Sequence, residues 1–162
     1  MKNTANSMKK IFVLILISII FLSCSSKTQS ALENIIDNFS FNNTISNSTE
    51  IIIKLYDSEE TGRKTSNIEH FTPKKEFKAT NKKQFESFNN IFSNAEKTGY
   101  CCCPTAIYSI HFMNKKETLD LFYVDTIESK DKIRIYEAGF QYSYIVEKKK
   151  WKNFLDEIDN RH

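Results

Sequence analysis

The longest apolar stretch comes first. Residues 11–22, IFVLILISIIFL, follow Lys9 and Lys10 and give way to Ser23, Cys24, Ser25, Ser26 and Lys27. A membrane-crossing helix needs about 20 apolar residues, so this run is too short to span. Beyond it the pattern changes period. Leu32, Ile35, Ile36 and Phe39 recur at helical spacing after the capping-box string Ser30-Ala31-Leu32-Glu33, which predicts a short helix over 31–39. The string 41–48, FNNTISNS, reads as loop. Ile51, Ile52, Ile53, Leu55 and Tyr56 form a β-branched run that predicts a strand, and residues 57–67, charged and holding Gly62, read as a loop. A second, weaker strand is expected over 76–79. Asn81 with Gln84 three residues on marks a helix start, and Phe85, Phe88, Ile91 and Phe92 share one face of that helix.

The second half is strand-rich. Ala106, Tyr108, Ile110 and Phe112 alternate with their neighbours, 114–116 turn, and Leu119, Leu121 and Tyr123 alternate in a returning strand. Ile133 and Ile135 mark another strand; 137–139 turn into Tyr142, Tyr144 and Val146. Trp151, Phe154, Leu155 and Ile158 close the chain at i, i+3, i+4 and i+7 of an amphipathic helix. The order is therefore strand, strand, helix, four strands, helix. Short connections impose antiparallel pairing. The expected fold class is α+β: a mostly antiparallel sheet of about five or six strands packed on two amphipathic helices, a two-layer sandwich. Residues 1–23 divide off as a leader, 24–48 as a polar tether and 49–162 as one domain.

The leader has a basic start, an apolar centre and a polar stop, as secretory signals do. Met8 opens a string, MKKIFVLILISIIFLSC, that is a full leader by itself. The run ends Phe21-Leu22-Ser23-Cys24, which resembles the lipobox of bacterial lipoproteins, with Ser23 as the small residue before the cysteine. It departs from that family at Phe21, where leucine is preferred, and at Leu22, where a smaller residue is. The resemblance implies cleavage before Cys24, a diacylglycerol thioether on Cys24 and N-acylation of the new terminus. It implies no other cofactor. A single acyl chain holds a protein only marginally, whereas two or three hold it firmly. Ser25 in place of aspartate implies, by analogy with Gram-negative lipoproteins, the outer membrane. The lack of an acidic cluster after Cys24 favours its periplasmic face over the cell surface.

Charge changes the picture of partners. The chain has 23 Lys plus Arg and 20 Asp plus Glu. Three of the lysines belong to the leader, so the mature chain is neutral. Nucleic-acid binding, which rests on a basic footprint, is not expected. The run Lys148-Lys149-Lys150 reads as a solvated helix face rather than a lipid-binding patch.

The most unusual string is Tyr100-Cys101-Cys102-Cys103-Pro104. In an extended segment Cys101 and Cys103 share a side and Cys102 takes the other. Residues two apart are separated by roughly 6.6 Å, close to the upper bound of about 6.8 Å for a disulfide. A 101–103 bridge would be strained and hence reducible. Two or three thiolates would alternatively suit Cu(I) or Zn(II). His111 has the right parity for a further ligand, but eight residues along a strand is roughly 26 Å. Only His70 or a ligand from a neighbouring strand could join. No paired C-x-x-C motif is present, and a structural role for Cys101, Cys102 and Cys103 is the reading the residues favour over redox or metal chemistry.

Catalytic signatures are scarce. Gly62, Gly99 and Gly139 are isolated, so no phosphate-cradling loop can be built, and there is no H-E-x-x-H or G-x-S-x-G string. His70, His111 and His162 occur singly and read as surface or strand residues. Asp120 and Asp125 face opposite sides of a regular strand and make no ready acid–base pair; Asp125 is expected to end that strand. Tyr136, Phe140, Tyr142 and Tyr144 could line a binding face, but sheet packing explains them as well. These observations lead to a membrane-anchored envelope protein without enzymatic activity, a binding module for a protein or envelope component, immunity- or inhibitor-like in one version. The alternative is a thiol-based metal-binding or redox protein using residues 101–103.

Overall fold

The computed structural model describes residues 40–57, 68–99, 105–127 and 129–159. The leader, Cys24, the helix expected over 31–39, nearly all of the 57–67 loop and Cys101 to Cys103 lie outside the described residues. A compact unit runs from Asn42 to His162. Its elements are β1 (Glu50–Leu55), a 3-10 turn (Ile68–His70), β2 (Lys75–Ala79), α1 (Lys82–Ile91), β3 (Glu96–Thr98), β4 (Tyr108–Asn114), β5 (Glu117–Asp125), β6 (Lys132–Glu137), β7 (Ser143–Glu147) and α2 (Lys148–Asp159).

The fold is α+β. Seven strands make one sheet in the order β2-β1-β4-β5-β6-β7-β3, and every neighbouring pair is antiparallel. The extra strand beyond the expected count is β3. Its three residues, Glu-Lys-Thr, carry no apolar alternation. Pairing with β7 and the Arg134 guanidinium, which donates to Thr98 Oγ1 at 3.0 Å and Ser143 Oγ at 2.9 Å, hold it in place. Residues 40–47 are helical, where the Asn- and Ser-rich string reads as loop. There the polar side chains bond back onto the helix itself: Ser46 Oγ and Asn47 Nδ2 donate to the Asn43 carbonyl, and Ser48 Oγ donates to that of Thr44.

Register decides which side chains meet. Ile51 and Ile53 pair with Phe112 and Ile110, Ile110 with Phe122, Val124 with Ile135, and Ile135 with Tyr144. These residues share one side of the sheet, and all are buried. The two helices cover that side. Asn81 caps α1 with the expected box, its side chain accepting from the Gln84 amide while the Gln84 side chain accepts from the Asn81 amide. Phe88 of α1 meets Phe112 of β4 at 5.6 Å and Phe154 of α2 at 5.4 Å. Trp151, Phe154, Leu155 and Ile158 are all buried, as the spacing implies. No helix among the described residues is long and apolar enough to cross a membrane.

The other side of the sheet has a smaller core of Tyr56, Ile68, Ala106, Tyr123 and Tyr136, with Leu121, Ala138 and Phe140 packed against it. The aromatic series is therefore divided: Tyr136 stacks with Phe140 on this side, at 5.7 Å, while Tyr142 and Tyr144 lie beneath the helices.

The first turn of α2 holds three lysines and no acid, which opposes the helix dipole. The run is not uniformly solvated. The Lys148 ammonium donates to the Thr126 carbonyl at 3.0 Å, and that of Lys150 to Ser93 O and Oγ at 2.8 and 3.1 Å; Lys149 alone is exposed.

The β4–β5 hairpin turns through Lys115 and Lys116, and Lys115 has a φ of 57°. A two-residue hairpin turn with positive φ at its first central position favours glycine there. Lys115→Gly should stabilise the domain by about 0.5–1 kcal/mol. A raised urea midpoint at unchanged m-value would check this.

Candidate functional site

A dense cluster of five polar side chains lies on the side of the sheet away from the helices. Strand alternation places Lys54 and Tyr56 on that side at the end of β1. Ser109 and His111 of β4 lie beside them, with Lys54 paired to Ser109 and Ile52 to His111. The fifth member, Glu69, comes from the 3-10 turn. Its neighbour Ile68 is fully buried in the smaller core and fixes the turn over the strands.

Glu69 is the hub. Its Oε2 lies 3.0 Å from His111 Nε2 and 3.3 Å from Lys54 Nζ. Its Oε1 accepts from the Tyr56 hydroxyl at 3.0 Å. Ser109 Oγ is 3.0 Å from His111 Nε2 and 3.4 Å from the Tyr56 hydroxyl. Burial of Glu69 opposes its ionisation. Hydrogen bonds from His111 and Ser109, and the charges of His111 and Lys54, outweigh burial and bring its pKa down from 4.5 to about 2. Burial pushes the Tyr56 phenol well above its ordinary value, and the Glu69 carboxylate adds to the rise. Tyr123 is raised for the same two reasons.

The arrangement brings together serine, histidine and a carboxylate, yet it is not a nucleophilic relay. Such a relay needs the hydroxyl on one ring nitrogen and the acid on the other. Here Ser109 Oγ and Glu69 Oε2 share the same nitrogen, Nε2. Ser109 is also fully buried, so no substrate carbonyl can reach its oxygen. What the cluster does is pin the turn: one carboxylate gathers three donors from two strands and ties the Ile68–His70 segment to the sheet.

No protein-family model, no curated protein and no solved structure matches this chain. A functional reading therefore rests on the chain's own residues.

The sequence-predicted residues are dispersed. Cys24, Cys101, Cys102, Cys103 and His162 lie outside the described residues. Among the described residues, no three of His, Cys, Asp and Glu are placed to hold a metal ion. His70 is exposed, one residue from Glu69. Asp125 ends β5 and is buried; it accepts from the amides of Thr105 at 2.9 Å and Ile127 at 2.8 Å, fastening two loops. By register Asp120 faces the opposite side, so the two aspartates do not converge. Burial, with the Glu137 charge adding, holds the Asp120 carboxyl above its usual range.

Lys54, Tyr56, Glu69 and Ser109 were not apparent from the sequence. The available signal was the i, i+2 placement of polar residues, Lys54 with Tyr56 and Ser109 with His111, on strands whose other side is apolar. Nothing in it pointed to Glu69.

Proposed function

We propose that this chain is an exported lipoprotein, cleaved before Cys24, carrying diacylglycerol and an N-acyl group on that residue. Its α+β domain works at the periplasmic face of the outer membrane as a binding module for a protein or envelope component. One observation carries the reading: Lys9 and Lys10, the apolar run 11–22 and the Ser23-Cys24 step occur in the order and spacing of a lipoprotein leader. The domain's geometry is compatible with binding through its surface. Three recesses among the described residues, of about 310, 450 and 570 Å³, are open to solvent, and the half-buried polar cluster around Glu69 is engaged in holding a turn. An immunity-like or inhibitor-like role, in which the module covers the active site of a toxin or hydrolase, is one form of this function.

Pull-down from detergent-solubilised envelopes tests it. Stoichiometric recovery of one specific partner is expected. Recovery of none, together with turnover of a small molecule by the purified domain, would reject it.

A further inference from the structure

Residues 129–132 and the start of α2 together form a lysine-rich corner. An open recess of about 570 Å³ there is lined by Lys130, Lys132, Lys148, Lys149 and Lys152 against three carboxylates, and among the described residues only one of those carboxylates, Glu147, has an ion-pair partner, Lys150 at 3.6 Å. Among the described residues, Lys130, Lys132, Lys149 and Lys152 have no carboxylate within ion-pair distance. Beside the lysines is the most exposed large apolar side chain of the described residues, Ile127, at 63%. It follows Thr126, whose carbonyl oxygen is 3.0 Å from the Lys148 ammonium. An apolar side chain held out to water next to a group of unpaired ammonium groups matches the chemistry of a lipid headgroup layer, with anionic phosphates outside and acyl chains within.

We propose that this corner is a membrane-contact face, seating its lysines on anionic phospholipid headgroups while Ile127 enters the boundary with the acyl chains. The inference deepens the anchored reading and rests on it for proximity: a chain already tethered by lipid meets the bilayer at high effective concentration, so a weak contact suffices to orient it. The recess composition disfavours other occupants. Lysine is depleted in protein–protein interfaces, where aromatic residues and arginine are enriched, and the recess lining has neither. Stacking on nucleic-acid bases likewise needs aromatic side chains.

The test uses the full chain as isolated from cells, carrying Ile127→Trp, on vesicles of phosphatidylcholine alone or with one-third phosphatidylglycerol, both with brominated acyl chains. The native Trp151 is 1% exposed and makes a silent background. The introduced indole should be quenched and blue-shifted on the anionic vesicles, and far less on the neutral ones. High salt should release it. Each lysine near an anionic surface strengthens seating about five-fold. Lys132→Glu/Lys149→Glu/Lys152→Glu, added to the reporter variant, should therefore reduce the seated-to-free ratio by about a hundred-fold or more. Lys149→Glu alone, in the first turn of α2 where glutamate suits the dipole, should keep the parent's melting midpoint and still lose seating about five-fold or more; lost quenching is then not unfolding. Equal quenching on both vesicle types, no quenching on either, or quenching that survives charge reversal would overturn the contact face. Flotation separates this from the anchor. A chain that floats with both vesicle types but shows no anion-dependent quenching overturns the face and leaves the anchor standing. A chain that floats only with anionic vesicles supports the face and overturns the anchor.

Discussion

Phe112→Ala should destabilise the domain by about 3–5 kcal/mol, the range for deleting a buried aromatic ring. Phe112 is fully buried on β4, which runs between β1 and β5. Its ring meets Phe88 of α1 at 5.6 Å and Phe122 of β5 at 5.5 Å, both edge-on. Phe88 in turn meets Phe154 of α2 at 5.4 Å. Phe112 therefore joins the sheet to α1 and, through Phe88, to α2, and alanine would leave a void beneath the helices. Domains of this size are stable by about 5–15 kcal/mol, so a large part of the total would be lost. Leu119→Ala is the contrast: at 36% exposure, it should change stability by about 0.5 kcal/mol or less. Urea unfolding of both variants checks the pair. A loss below about 1 kcal/mol for Phe112→Ala would contradict the packing of helices on this side of the sheet.

Acid should weaken the domain through Glu69. Its folded pKa of about 2 lies below the ordinary 4.5. A carboxylate held below its unfolded value contributes stability that is fully present above the unfolded pKa and is lost as pH falls through the folded one. The loss therefore falls between about pH 4.5 and pH 2. The Glu69 side chain is 28% exposed, so solvent screening reduces the contribution to about 1–2 kcal/mol. Glu69→Gln should lose that amount at neutral pH. The amide keeps an acceptor for the Tyr56 hydroxyl but turns its own donors towards Lys54 and His111. The variant should also have a flatter stability profile on the acid side, converging with the parent near pH 2. The first amides to lose hydrogen-exchange protection on acidification should be those around Ile68–His70, the segment the carboxylate holds. Parallel profiles for parent and variant over that interval would contradict the role assigned to Glu69.

Much of the fold was legible, for reasons particular residues make plain. Tyr108, Ile110 and Phe112 alternate cleanly because only their side of β4 faces the helices, while Ser109 and His111 look the other way. The spacing of Trp151, Phe154, Leu155 and Ile158 fixed the buried face of α2, and the Asn81–Gln84 box fixed the start of α1. Alternation misled in β5. Leu119, Leu121 and Tyr123 look like its core side, yet Phe122 and Val124 lie beneath the helices and Leu121 and Tyr123 belong to the smaller core. Where both sides of a sheet are covered, a period of two no longer tells inside from outside. β3 was illegible because an edge strand of three polar residues has no pattern to read. The cluster around Glu69 was illegible for a different reason: its members are up to 57 positions apart in the numbering, from Lys54 to His111, and only the pairing of β1 with β4 and the burial of Ile68 bring them together.

We propose that Cys24 becomes the lipid-bearing first residue of the working protein. Intact-mass and peptide mass spectrometry of the chain purified from membranes tests it most directly. The expected result is an amino-terminal peptide beginning at Cys24 whose mass carries a diacylglyceryl group and a further acyl chain, absent when Cys24→Ser is made. An unmodified Cys24, or a chain that keeps residues 1–23 and stays with the soluble cell contents, would contradict it.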